Sequence, residues 1–136
     1  MKIIFMGTPA LAVPFLEKLH AQHEIIGVVT QPDKPAGRGG HLTASPVKDY
    51  AVKHNLPIYQ PTRARDESFI DEMKALAPDA IAVVAFGQIL PRAILELPFN
   101  GCVNLHFSLL PRWRGAAPVQ HALLSGDSVT GVTIQH

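Results

Sequence analysis

Residues 2–29 read KIIFMGTPALAVPFLEKLHAQHEIIGVV, and this stretch decides the fold. Lys2-Ile3-Ile4-Phe5-Met6 is an apolar run with β-branched members that stops at Gly7-Thr8-Pro9, the pattern of a strand buried on both faces. Leu11, Phe15, Leu16 and Leu19 then recur at helical spacing. Pro14 is compatible with that helix only in its first turn, where its missing N–H costs little, so the helix is expected to begin near Ala12. Ile25-Ile26-Gly27-Val28-Val29, within Glu24 to Thr30, is a second apolar run. Strand, helix and strand within about thirty residues form a βαβ unit, whose strands must be parallel because a crossover joins them.

Outward from this unit the alternation continues. Gln31 to Ala44 holds Pro32, Pro35, Gly37, Gly39 and Gly40 without apolar periodicity and is expected to be a long loop, a length that is commonly functional or mobile. Ser45-Pro46 supplies an N-cap and a first-turn proline for a helix that buries Val47, Tyr50 and Ala51. A short strand is expected at Pro57 to Tyr59 and a helix over Asp66 to Leu76, ended by Pro78. Ala80 to Ala85 and Cys102 to His106 read as further strands, with a short helix or turn over Pro91 to Leu97 between them. Ala116 to Leu124 reads as a helix ending at Gly126, and Val129, Val132 and Ile134 as a last strand. The sum is an α/β fold, a doubly wound and mostly parallel sheet, with its ligand crevice outside the carboxyl ends of the strands.

Composition excludes several classes. The 136 residues are 47% hydrophobic with a formal net charge of +1, and a mean hydropathy of +0.15 is above that of a disordered tail. One cysteine, Cys102, forms no internal disulfide, and the absence of a signal-peptide pattern makes a reducing cytoplasm the expected location. Apolar runs such as Ala80 to Phe86 fall far short of the ~20 residues that span a bilayer, so no membrane association is expected. With charge nearly balanced, any nucleic-acid contact has to come from a local patch. Two cationic groups qualify: Lys34, Arg38 and Lys48 around the glycine-rich loop, and Arg112 and Arg114 flanking Trp113.

Gly7-Thr8-Pro9-Ala10-Leu11-Ala12 has one glycine where a dinucleotide fingerprint needs three. His106, His121 and His136 lie fifteen apart, not at metal-ligand spacing, so no metal is expected. Cys102, in an apolar strand, reads as core and not as a nucleophile. Asn104 and His106 are two residues apart in a strand, so both side chains share one face at its carboxyl end. Asn offers an uncharged donor for an oxyanion and His moves a proton near neutral pH, which suits acyl transfer. The same pair equally fits a strand-end turn in which Asn104 satisfies backbone groups and His106 is a half-buried histidine.

Asn104-Leu105-His106 followed by Ser108-Leu109-Leu110-Pro111 carries a resemblance to the folate-dependent formyltransferases. The continuation Arg112-Trp113-Arg114-Gly115-Ala116-Ala117-Pro118, the opening Phe5-Met6-Gly7-Thr8-Pro9 and the loop Gln31-Pro32-Asp33-Lys34-Pro35-Ala36-Gly37-Arg38-Gly39 are similar to the branch that acts on methionyl initiator tRNA. The resemblance implies a Rossmann-like formyltransferase fold and an enzyme that uses 10-formyltetrahydrofolate as formyl donor and no metal. It implies Asn104 and His106 as catalytic residues. It places the pterin against Phe86, Gly87, Gln88, Ile89, Leu90 and Pro91 and against Ser108, Leu109, Leu110 and Pro111. Lys34, Arg38, Arg112 and Arg114 are its expected tRNA contacts. Family members complete the site with an aspartate after the Gly131-Val132-Thr133-Ile134 strand and continue into a C-terminal barrel domain. Residues 1–136 are accordingly expected to be the N-terminal part of the catalytic domain, prone to self-association where the whole enzyme is monomeric. Two alternatives stay open: a nucleotide-sugar or glycinamide-ribonucleotide formyltransferase, and a non-catalytic folate- or RNA-binding remnant. Against the purine branch, Thr8-Pro9 stands where that enzyme carries a glycine-rich phosphate turn.

Overall fold

The computed structural model describes residues 1–136. Its sheet contains β1 (Lys2–Gly7), β2 (Glu24–Val29), β5 (Ile58–Tyr59), β6 (Ala80–Val84), β7 (Cys102–His106) and β8 (Thr133–Gln135), in the order β5-β2-β1-β6-β7-β8. Five strands run parallel, and β8 lies antiparallel on β7. The helices are α1 (Val13–His20), α2 (Pro46–Lys53), α3 (Glu67–Leu76), α4 (Arg92–Leu95) and α5 (Pro118–Leu124).

Strand geometry sends successive side chains to opposite faces, and β1 shows the consequence. Ile3 and Phe5 join Leu16, Val47 and Ala51 beneath α1 and α2, while Ile4 and Met6 join Phe69, Met73 and Ile94 beneath α3 and α4. Two cores on two faces make the sheet doubly wound, as expected. Ser45 caps α2 by accepting from the Lys48 N–H at 3.0 Å, and Pro46 occupies the first turn. The chain leaves α3 through Ala77, whose φ of 47° is left-handed, immediately before Pro78.

The first helix starts at Val13 with Ala12 as its N-cap, as expected, after a 3₁₀ turn over Ala10–Ala12. Two expectations need correction. The segment Gln31 to Ala44 is not all loop: β3 (Lys34–Ala36) pairs antiparallel with β4 (His41–Thr43). Every residue of both strands is exposed, so burial imposed no alternation on the sequence. The last strand begins at Thr133, because Val129 and Val132 lie outside the pairing register, which runs from His106↔Thr133 to Asn104↔Gln135. No helix is long and apolar enough to cross a membrane.

Candidate active site

β1 has β2 on one side and β6 on the other, so connections leave its carboxyl end in two directions and open a crevice there. A cleft of about 760 Å³ occupies that position, lined among others by Thr8, Gln31, Lys34, Gln88, Asn104 and His106. A second cleft of about 560 Å³ meets it at Gln88 and Asn104 and extends past Leu90 and Cys102 to Gln135.

Asn104 and His106 therefore do share one face and one cleft. Asn104 Nδ2 donates to Gln135 Oε1 at 3.0 Å across the β7–β8 ladder. His106 Nε2 lies 2.9 Å from the Trp113 carbonyl. A carbonyl only accepts, so Nε2 carries a hydrogen there and Nδ1 is left as the ring atom able to exchange a proton.

The turn after β6 is built from left-handed residues, Ala85 at φ 50° and Gly87 at φ 89°, which swing the chain across the crevice. The Phe86 carbonyl accepts from Thr8 Oγ1 at 2.8 Å and from Gln31 Nε2 at 3.3 Å, tying this turn to the ends of β1 and β2. Gln88 accepts from the Ala64 N–H at 2.7 Å and donates to the Pro61 carbonyl at 3.0 Å. Ile89 is 95% exposed at the cleft mouth, Leu90 lines the second cleft, and Pro91 is the N-cap of α4.

The segment Ser108, Leu109, Leu110 and Pro111, expected against a pterin, follows β7 outside the residues that line these two clefts. Ser108 is fully buried and donates to the Arg112 carbonyl at 2.7 Å. Thr133 Oγ1 donates to the Ser108 carbonyl at 2.7 Å and accepts from the Leu110 N–H at 3.1 Å. These bonds hold the segment to β8 as a structural turn.

The four expected cations separate into two kinds. Lys34 stands at the cleft mouth. Arg38 is exposed in the tip of the β3–β4 hairpin, beside Gly37 at φ 71°, and Arg114 is exposed too. Arg112 is instead paired with Asp127 at 2.9 Å and lies 5.1 Å from the Trp113 ring. Lys48 is likewise engaged, at 2.6 Å from Asp33. The hydrogen bonds from Lys48 and Gln60 hold the Asp33 carboxyl below its ordinary pKa. Cys102 is pushed up to about 11 by burial, so its thiol stays protonated and inert at neutral pH. No three His, Cys, Asp or Glu side chains converge as metal ligands.

Sequence reasoning passed over Gln60 and the bonding by which the amides of Gln31, Gln60 and Gln88 knit the strand ends together. It also passed over Arg63 and Arg65, whose signal was the doublet in Thr62-Arg63-Ala64-Arg65.

The formyl transferase family profile matches residues 1–136, the whole of this chain. The chain belongs to the formyl transferase family. By family it is a transferase. The chain is 58% identical, over its whole length, to a methionyl-tRNA formyltransferase of Clostridioides difficile (strain 630) and covers 44% of that protein. It is 54% identical to the methionyl-tRNA formyltransferase of Alkaliphilus oremlandii (strain OhILAs), again over all of this chain and 44% of the relative. The chain thus spans less than half the length of these relatives. Its fold is shared with glycinamide ribonucleotide transformylase 1 from Geobacillus kaustophilus, at a TM-score of 0.74 and 22% identity over 99% of this chain and 72% of that one. It is shared also with phosphoribosylglycinamide formyltransferase from Bacillus halodurans, at a TM-score of 0.75 and 18% identity over 100% and 71%. Within the formyl transferase fold, the exposed β3–β4 hairpin brings Lys34 to the lining of the cleft.

Proposed function

We propose that the protein transfers a formyl group from 10-formyltetrahydrofolate to the α-amine of methionyl initiator tRNA. The observation that carries this reading is Asn104 and His106 on one face of β7, in a cleft lined also by Lys34 of the β3–β4 hairpin. Relatives more than half identical to this chain and named methionyl-tRNA formyltransferase support the choice of acceptor. Clefts of this size suit a drug-sized ligand, and the turn from Phe86 to Pro91 offers backbone groups and apolar side chains for the pterin.

In the reaction the amine nitrogen attacks the formyl carbon, forming a C–N bond and a tetrahedral oxyanion. Collapse breaks the bond to the folate nitrogen, and the proton lost by the amine is returned to that leaving nitrogen. Asn104 Nδ2 donates to the oxyanion, exchanging its bond to Gln135, and His106 carries the proton at Nδ1 while Nε2 is held by the Trp113 carbonyl. Lys34, Arg38 and Arg114 meet RNA phosphates.

The test is formyl transfer to methionyl initiator tRNA by the protein and its Asn104→Ala and His106→Ala variants. Loss of one oxyanion donor costs ~10²- to 10³-fold in rate. Both variants should show losses of that order with unfolding midpoints near wild type. Wild-type turnover in a purified His106→Ala protein refutes the assignment.

A further inference from the structure

The β3–β4 hairpin departs from the sheet after Thr30 and returns at Ser45, and residues 34–43 are all exposed. Nothing buried along its length sets its direction, which is therefore fixed at its two ends. Both ends are stapled together. Thr30 is fully buried directly after β2, and its Oγ1 lies 2.6 Å from Oγ of Ser45, the N-cap of α2. Farther out, Asp33 Oδ2 accepts from Lys48 Nζ at 2.6 Å, joining the residue before β3 to the first turn of α2. Gln60, immediately after β5, donates to Asp33 Oδ1 at 2.8 Å and to the Gln31 carbonyl at 3.1 Å. Each oxygen of the Asp33 carboxylate thus holds a partner from a different part of the sheet's surround. The Lys48 and Asp33 side chains are only 22% and 27% exposed, so solvent screens the pair less than an open surface pair. Leverage makes this base matter. At ~3.3 Å per residue Arg38 stands on the order of 15 Å from Asp33, so a tilt of roughly 10° at the base carries it about 3 Å, the length of a hydrogen bond.

We propose that Asp33 and Lys48 are positioning residues for the acceptor substrate: their ion pair sets the angle at which the hairpin leaves the sheet and so aims Arg38 at a phosphate of the RNA. The inference rests on the proposed function, which gives Arg38 its RNA contact, and adds two residues that act without touching substrate. Lys48, a cation beside the hairpin, belongs on this reading to the framework and is not a phosphate ligand. A carboxylate suits the role because it holds Lys48 and Gln60 at once through charge-assisted hydrogen bonds, which fix direction as well as distance. An angle set before the RNA arrives reduces the entropy lost in ordering the arm on binding.

The test has two arms. In steady-state formyl transfer, Asp33→Asn and Lys48→Met should each lower kcat/KM for methionyl initiator tRNA roughly tenfold, the worth of one charged contact, with KM for the formyl donor unchanged. In an Arg38→Ala background the same substitutions should add less than about twofold, because the group they aim is gone. Asp33→Asn keeps an oxygen for Gln60, so the fold should hold. The full tenfold loss in the Arg38→Ala background, or an unchanged kcat/KM for tRNA in both single variants, overturns the inference. The second arm needs no activity. Residual dipolar couplings of the Lys34, Ala36, His41 and Thr43 amides should fit the alignment tensor of the sheet in the wild type. In Asp33→Asn with Lys48→Met they should depart from it, while those of β1 and β6 stay in place. Hairpin couplings that are alike in the two proteins, or that fail to fit in the wild type, also overturn the inference. A wild type that gives the expected couplings yet transfers no formyl group refutes the proposed function and leaves the ion pair as what sets the hairpin's angle.

Discussion

Asp127→Ala should damage the active site from outside it. The Asp127 side chain is 12% exposed and accepts twice, from Trp113 Nε1 at 2.7 Å and from Arg112 at 2.9 Å. The indole bond to a largely buried carboxylate is charge-assisted and contributes ~1.5–3 kcal/mol. Arg112 is 62% exposed, so solvent screens its share to ~0–1 kcal/mol. A total loss of about 1.5–4 kcal/mol is therefore expected in urea unfolding. The consequence for activity runs through the backbone. Trp113 adopts φ 55°, a left-handed conformation that costs a non-glycine residue ~1–2 kcal/mol and is held by its side chain's anchors. Released from Asp127, the residue relaxes and withdraws the carbonyl that fixes His106 Nε2 at 2.9 Å. A misplacement of about 1 Å at a reacting group costs ~10²-fold, so kcat for formyl transfer should fall roughly 10- to 100-fold. Trp113 is the single tryptophan, so its emission reports directly whether the indole has lost its partner. A shifted emission with wild-type kcat would refute the link between Asp127 and His106.

Arg38→Ala should raise KM for tRNA or lower kcat while the KM for the formyl donor is unchanged, because Arg38 is exposed on a hairpin outside the sheet; steady-state kinetics with each substrate varied will show which parameter moves. The Asp33 pKa is lowered by Lys48 and Gln60, so its contribution to stability is present above the ordinary value of 3.8 and lost as pH falls through the lowered one. The side-chain amide resonances of Gln60 should therefore shift in that acid range, and Asp33→Asn should abolish the shift. Cys102, raised from 9.0 to about 11, should react with a thiol reagent near pH 8 roughly 100-fold more slowly than an unperturbed thiol; its share of stability is full below pH 9 and lost as pH rises through about 11. Denaturation in urea restoring the ordinary rate would confirm burial as the cause. Gly7→Ala places a Cβ 2.7 Å from the Phe5 ring and 2.8 Å from the Val84 carbonyl, and the overpacking should cost ~1–3 kcal/mol by chemical denaturation.

Local geometry makes part of this protein legible from the order of its residues. The apolar runs of β1, β2 and β6, separated by helical spacing and punctuated by Pro14, Pro46 and Pro78, specify parallel strands with crossovers. The parity of Asn104 and His106 likewise specifies a shared face, because a strand's period of two is a property of the backbone alone. Ser45 and Pro46 mark the start of α2 for the same reason, since a cap acts within one helical turn.

Tertiary structure decided what depends on partners distant in the chain. Arg112 and Lys48 read as free cations until Asp127 and Asp33 are brought against them, whereas Arg63 and Arg65, unremarkable in sequence, are gathered with Lys34 around one groove. The exposed β3–β4 hairpin carries no burial pattern to read, and Ser108 and Leu110 are tied through their backbones to the Thr133 hydroxyl. Gln88 shows the division most plainly: its type fits any polar surface, and only the folded chain aims its amide at Ala64 and Pro61, twenty-four and twenty-seven residues earlier. Spacing encodes which face a side chain occupies, but which charge is neutralised and which amide braces a loop depend on contacts that exist only once the chain has closed on itself.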